Sequence, residues 1–184
     1  MNINLAVPKL LLLEGTSFEV VINDAGGPTK NGVIQSEYDT YRDGKGLPKQ
    51  SVALMPDEEM YEIYTDQYWA EGRCDLLPDG LDFVHFQWCV NHGVESAVRC
   101  LKVALFKDPQ LGNLDGPLTA KDASFLSRWS SEGIVVERYL AIQSATYDRI
   151  SQAGQPQTQL KFFNGWENRI QRVRDILADK PLSV

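Results

Sequence analysis

The spacing of apolar and polar positions predicts a mainly helical chain with one short β segment near its start. Residues 5–14 form an apolar run, with Pro8 in the predicted first turn, where a missing N–H is tolerated, and Gly15 in the stop position. Residues 17–24 alternate imperfectly and end in turn residues, so they predict a strand that leads into a Gly-Gly-Pro loop at 26–28. The pattern therefore places a helix end against a glycine-rich loop.

Most of the chain after residue 54 is predicted to be helical. Helices are expected over 55–69, 78–93, 94–106, 119–131, 132–152 and 164–179. The segment 78–93 is apolar around almost its whole circumference, as expected of a central helix that is covered by its neighbours. A turn-rich stretch over 107–119 is the best linker candidate.

The composition fits one globular domain. The chain has 184 residues, of which 43% are hydrophobic and 23% are charged, so it is long enough to bury a core without cross-links. The helices on either side of 107–119 are too few to build separate cores, and we expect a single domain over 1–184 with halves at 1–72 and 73–184. The predicted fold class is mainly α (α+β), with a small β-hairpin near the N-terminus.

The charge balance argues against nucleic acid as a partner. The chain carries 25 acidic and 18 basic residues, a net charge of −7, and no Lys/Arg block long enough to follow a phosphate backbone. No stretch approaches the roughly 20 apolar residues that cross a bilayer, so no membrane insertion is expected. The first residues lack a basic leader and a cleavage site, which favours synthesis in the cytoplasm without a signal peptide.

The cysteines and histidines do not form a recognisable metal motif. Cys74, Cys89 and Cys100 are odd in number and lack CxxC spacing, so buried free thiols are favoured. One disulfide, formed after delivery to an oxidising compartment, stays open, and the sequence does not choose the pair. His85 and His92 lack the HExxH pattern and are expected to be structural, so we predict no metal site.

Three polar residues of the first segment are candidates for acid catalysis of glycoside cleavage. That reaction needs one carboxylic acid to protonate the leaving oxygen and a second group to stabilise charge or position water. Glu14, at the end of an apolar helix, would keep its proton if it were partly desolvated. Asp24 lies in a polar turn and would stay ionised as stabiliser or base, while Thr29 could hold a water. The alternative is an ordinary helix end followed by an ordinary turn.

Four further residues are candidates for substrate binding. Gly27 gives the loop the freedom to approach a sugar closely. Tyr68 could stack on a sugar ring, although its helical spacing also fits core packing. Gln87 and Asn91, four positions apart on the central helix, could project amides into a saccharide cleft or satisfy buried backbone groups.

The first segment resembles known cell-wall hydrolases. Glu14, Asp24 and Thr29 resemble the Glu, Asp and Thr set of phage-type lysozymes, with Asp24 one position later than in that family. More specifically, "EG" followed by "NDAGGPTKNGV" resembles the N-acetylmuramidases of glycoside hydrolase family 108. Further blocks, similar to successive parts of the same proteins, lie at 62–69, 77–98, 114–119 and 162–173.

The resemblance implies a lysozyme-like fold and a cofactor-free hydrolase of the peptidoglycan glycan strand, with Glu14 as the catalytic acid. Glu19 is the fallback if the helix ends later. In the resembling proteins the latter part is often labelled a predicted peptidoglycan-binding domain. We expect residues 73–184 to be the second half of one fold instead.

The resemblance also suggests how such an enzyme reaches its substrate. The resembling family includes phage lysins and type VI secretion effectors, and the acidic composition favours an antibacterial effector that acts in the periplasm of a target bacterium. A small cognate immunity protein that blocks the active site is then expected. The alternatives are a phage-type endolysin, an N-acetylglucosaminidase, or an inactive module that binds peptidoglycan or protein.

Overall fold

The computed structural model describes residues 1–14, 18–19, 28–106, 112–153 and 168–179. These ranges are mainly helical and include a small antiparallel sheet, so the predicted fold class is confirmed. The α-helices are α1 (Ile3–Glu14), α2 (Gln35–Gly44), α3 (Asp57–Ile63), α4 (Leu81–His92), α5 (Val94–Leu105), α6 (Ala120–Ala123), α7 (Glu132–Ala153) and α8 (168–177). Helix α3 continues directly as a π-helix over Tyr64–Ala70, and short 3-10 turns cover Val52–Leu54, Cys74–Leu76 and Ser124–Arg128.

Helix α1 begins two residues earlier than the apolar pattern predicts. Asn2 sets the start: its Oδ1 accepts a hydrogen bond from the Leu5 amide at 3.2 Å, and its carbonyl accepts from the Leu5 and Ala6 amides at 3.0 Å. Pro8 therefore lies in the second turn, where it removes the bond that its N–H would give to Asn4. The prediction that Pro8 occupies the first turn is wrong. The helix is described as far as Glu14, and residues 15–17 lie outside the described part of the chain, so its predicted end stays a prediction.

Within the described residues, the sheet consists of β1 (Phe18–Glu19), β2 (Thr29–Lys30) and β3 (Val33–Ile34), in that order. Neighbouring strands are antiparallel, and Thr29 is paired with Ile34 on one side and Glu19 on the other. The strand predicted over 17–24 includes β1, and its remaining residues lie outside the described part of the chain.

A tight turn connects β2 and β3. Asn31 and Gly32 have φ values of 51° and 82°, the left-handed backbone of a two-residue type I′ hairpin. An Asn-Gly pair is a strong sequence signal for such a turn, so β2 and β3 were readable from the sequence although the apolar pattern does not show them.

Replacing Gly32 by alanine is expected to destabilise the protein by about 1–2 kcal/mol, because a Cβ penalises left-handed backbone. Urea unfolding of Gly32→Ala measures the change. Gly44→Ala is the matched control, since a Cβ at Gly44 meets no atom within 4 Å and Gly44 does not have a positive φ. Equal stabilities of the two variants would contradict the turn geometry.

Helix α4 is the centre of the core, as predicted. All residues from Leu81 to Cys89 are buried, and α1, the π-helix, α5 and α7 pack against this helix. Buried side chains from both halves of the chain form one apolar cluster. This shared core supports the single domain over 1–184, which stays a prediction.

The candidate linker is attached to the core in its described part. Residues 112–119 contain no helix or strand. The buried Lys102 of α5 donates hydrogen bonds to the backbone carbonyls of Asp115 and Gly116 at 3.0 and 3.1 Å, and Leu118 is fully buried. The helix predicted over 119–131 is shorter, because α6 ends at Ala123 and a 3-10 turn follows.

Candidate active site

The end of α1 is the first component of the candidate site. Arg172 on α8 donates from Nη2 to the backbone oxygen of Leu12, in the last described turn of α1. A cation at a helix C-terminus also interacts favourably with the helix dipole. Arg172 therefore attaches α8 to the turn that carries Glu14.

Several predicted site positions fall outside what the structure describes. These are the side chain of Glu14 and the residues Asp24 and Gly27. Thr29 is described: it is half-buried on β2, and its partners in the sheet are Glu19 and Ile34. The roles of these four residues stay predictions.

Asn91 is the second component of the candidate site. Its side chain is exposed in the last turn of α4, and its Oδ1 accepts a hydrogen bond of 2.8 Å from the hydroxyl of Tyr147 on α7. The Tyr147 ring packs edge-on against the buried Trp88 at 5.1 Å between ring centroids. Asn91 is therefore a surface amide whose orientation is set by the core.

Gln87 lies inside the protein instead of in a cleft. Only 1% of the residue is exposed, and its amide nitrogen donates to Gln143 Oε1 at 2.9 Å and to the Val84 carbonyl at 3.1 Å. Its Oε1 accepts from Arg169 Nε at 3.3 Å. This arrangement corresponds to the alternative reading of the sequence, in which the amide satisfies buried polar groups.

Two arginines on α8 connect the components. Arg169 contacts Gln87 on α4, and Arg172 contacts the Leu12 carbonyl on α1. Residues three apart lie on the same face of a helix, so this face of α8 brings the end of α1 close to the second half of α4. The sequence pattern did not point to a role for Arg169 or Arg172 at the site; the available signal was two cations three positions apart.

Tyr68 is also placed in the interior. It is 7% exposed, and its hydroxyl donates to Glu37, whose other carboxylate oxygen accepts from the Ile34 amide at 3.3 Å. Burial and the adjacent Glu37 carboxylate raise the pKa of Tyr68 well above its usual value. The protonated hydroxyl therefore links the π-helix to the start of α2, and the ring is not exposed for stacking on a sugar.

His92 follows Asn91 and is packed against aromatic rings. Its ring centroid lies 3.9 Å from that of Trp88 and 5.4 Å from that of Tyr147. Burial, followed by the positive charge of Arg169, lowers the pKa of His92 from 6.5 to about 4. The folded protein therefore favours the neutral ring.

Stability is expected to fall in acid because of His92. Its pKa is depressed on folding, so its contribution is fully present above pH 6.5 and is lost as the pH falls toward about 4. Urea midpoints of the wild type and of His92→Gln, measured at about pH 7 and about pH 5, isolate this contribution. The wild type should lose more stability than the variant over this interval. Equal losses would contradict a neutral His92 with a lowered pKa in the folded protein.

The described residues contain no group of three or more His, Cys, Asp or Glu side chains that could hold a metal ion. Within the same part of the chain, no helix is both long enough and apolar enough to cross a membrane. His85 is buried and makes hydrogen bonds of 2.9 Å with the Tyr139 hydroxyl and the Gly72 carbonyl, which fits the structural role expected for it.

Residues 8–93 match the model of the family described as glycosyl hydrolase 108. This segment, slightly less than half of the chain, is similar in sequence to that family. The match supports a peptidoglycan glycoside hydrolase of the lysozyme-like type.

The match to solved structures extends beyond this segment. The structure of SagA from Brucella abortus aligns with a TM-score of 0.76 over 96% of this chain and 94% of that chain, at 22% sequence identity. This likeness shows a shared fold along almost the whole chain, including residues after the family match. No curated protein matches the chain in sequence.

Proposed function

We propose that the enzyme is an N-acetylmuramidase in which Glu14 is the general acid. The observation that carries this proposal is the position of Glu14: it is the last residue of α1, inside the segment 8–93 that matches the hydrolase family. The preceding turn is held by Arg172, so the backbone that presents the carboxyl group has a fixed attachment.

In the proposed reaction, the Glu14 carboxyl protonates the glycosidic oxygen of the leaving sugar. Asp24 stabilises the developing positive charge or acts as the base, with Glu19 as its substitute, and Thr29 orients the water. No cofactor is required. A separation of roughly 6.5–9.5 Å between the two carboxyl groups would give inversion at the anomeric carbon, and about 5–5.5 Å would give retention.

Asn91 and Gly27 are the proposed contacts to the saccharide. The Asn91 side chain is exposed and oriented by Tyr147, so its amide can bind a sugar hydroxyl or acetamido group. Gly27 lacks a Cβ and permits close approach of the loop. We assign Tyr68 and Gln87 a supporting role, because both side chains are buried and bonded to other parts of the protein.

Analysis of digestion products tests the proposed bond. Purified peptidoglycan is incubated with the enzyme, reduced with borohydride and analysed by mass spectrometry. Reduced muramic acid ends are expected. Reduced glucosamine ends would instead identify an N-acetylglucosaminidase, and an absence of products from folded protein would support a binding module.

We also propose that the enzyme is an antibacterial effector, delivered to the periplasm of a target cell by specialised secretion such as a type VI system. The net charge of −7 offers no long-range attraction to an anionic bacterial surface, which suits delivery by a machine better than free diffusion. The producing cell then needs a small immunity protein that blocks the active site.

Co-purification and inhibition assays with proteins encoded beside the enzyme test for such an immunity protein. A neighbour-encoded protein that neither binds nor inhibits the enzyme would argue against the effector role and favour a phage-type endolysin.

A further inference from the structure

Two buried thiols lie together between the Cys74–Leu76 turn and α4. Cys74 begins the turn, Cys89 lies in the last turn of α4, and both residues are fully buried. The third cysteine, Cys100, is half-buried on α5. All three are free thiols in this structure.

The two buried sulfur atoms are neighbours. The Cys74 and Cys89 side chains are close enough to affect each other's pKa. Both sulfurs also pack against Gly72: a Cβ on this residue would lie 2.9 Å from Cys89 Sγ and 3.4 Å from Cys74 Sγ. The backbone of Gly72 therefore leaves room for the pair, and the sulfurs are held on a turn and a helix that already contact each other.

His85 makes the two thiols chemically different. Its Nε2 lies 2.9 Å from the Gly72 carbonyl, which can only accept, so Nε2 carries a hydrogen. The same nitrogen is 3.6 Å from Cys89 Sγ. Burial raises the pKa of the Cys89 thiol, but the neighbouring Cys74 thiol and the adjacent His85 ring outweigh burial and lower it. Burial and the neighbouring Cys89 raise the pKa of Cys74. Cys89 is therefore the more acidic thiol of the pair.

We infer that Cys74 and Cys89 form an intramolecular disulfide when the chain folds in an oxidising compartment, while Cys100 stays a free thiol. While the chain folds, before the pair is covered, the Cys89 thiolate attacks one sulfur of an incoming disulfide, such as that of a protein thiol oxidant or oxidised glutathione, and displaces the other sulfur as a thiolate. Cys74 then attacks Cys89 and releases the second thiol. Overall, two protein thiols and one external disulfide become one protein disulfide and two external thiols, which carry the two hydrogens.

The bond would join the segment after the π-helix to the central helix. It closes a loop of about 15 residues, and a cross-link of this length chiefly restricts the unfolded chain. We expect oxidation to raise the urea midpoint of unfolding by roughly 1–2 M. Only the expected compartment rests on the proposed function; the reaction itself is independent of which bond the enzyme cuts.

Oxidative refolding tests the disulfide on the full chain. The reduced, urea-unfolded protein is refolded with oxidised and reduced glutathione, free thiols are alkylated under denaturing conditions, and the mass and the linked peptides are determined. The wild type should lose two alkylatable thiols and yield a peptide pair joining Cys74 to Cys89. Cys100→Ser, the matched control, should form the same bond, whereas Cys74→Ser and Cys89→Ser should not.

Three outcomes would overturn the inference. These are three alkylatable thiols after oxidative refolding to the native state, a bond that involves Cys100, and a stable glutathione adduct on Cys74 or Cys89 in the wild type. If Cys74→Ser or Cys89→Ser fails to fold, the linked peptides of the wild type and of Cys100→Ser still show whether Cys74 and Cys89 are joined. Glycan cleavage is measured separately, so loss of the disulfide inference and loss of the muramidase proposal are distinguishable.

Discussion

Glu14→Gln should abolish the release of muropeptides from purified peptidoglycan while the protein stays folded. Glutamine keeps the size and polarity of the side chain but cannot donate a proton to the leaving oxygen. Removing a general acid typically lowers the rate by about 10²–10⁴-fold. Initial rates of product release, with circular dichroism to confirm folding, measure the effect.

The control variants locate the acid. Glu132→Gln changes an exposed carboxylate at the start of α7 and should leave the rate unchanged. Glu19→Gln tests the fallback acid on β1. Full activity of Glu14→Gln together with loss in Glu19→Gln would transfer the acid role to Glu19. Full activity of both variants would contradict a catalytic site in the first segment.

The sequence predicted the elements whose burial comes from aliphatic and aromatic residues. Helix α4 was readable because it is apolar around its circumference, and such a helix must be covered on all sides. Helix α2 was not predicted, because its buried positions are Tyr38, Tyr41 and Arg42, which enter the core through hydrogen bonds as well as packing. A pattern of apolar spacing does not register such a helix.

The candidate site was only partly predictable for a different reason. Helical spacing shows that Gln87 and Asn91 share a face of α4. It does not show which of the two side chains is covered by α7 and α8, because those contacts come from distant parts of the chain. The Arg172 contact with Leu12 joins residues 160 positions apart. No local pattern contains this information. Glu14 could be singled out because its helix end, its following glycine and the family resemblance all lie within one short segment.

The second large effect is expected from Trp88, which supports the core and the Asn91 surface together. Trp88 is fully buried on α4, and its ring contacts those of His92 and Tyr147. Trp88→Ala should lower the free energy of unfolding by about 3–5 kcal/mol, since it removes buried area and leaves a cavity. Out of a typical total of about 5–15 kcal/mol, this is enough to make the fold marginal. Urea unfolding measures the loss.

Trp129→Ala is the matched control, because Trp129 is only half-buried and should therefore cost less. Trp88→Phe keeps an aromatic ring and should retain enough stability for activity to be measured. Because Tyr147 packs on Trp88 and orients Asn91, this variant is expected to raise KM more than it lowers kcat. A larger destabilisation from Trp129→Ala than from Trp88→Ala would contradict α4 as the centre of the core. An unchanged KM in Trp88→Phe would mean that the packing of Trp88 does not affect substrate binding. This result would contradict the proposal that Trp88 supports the orientation of Asn91.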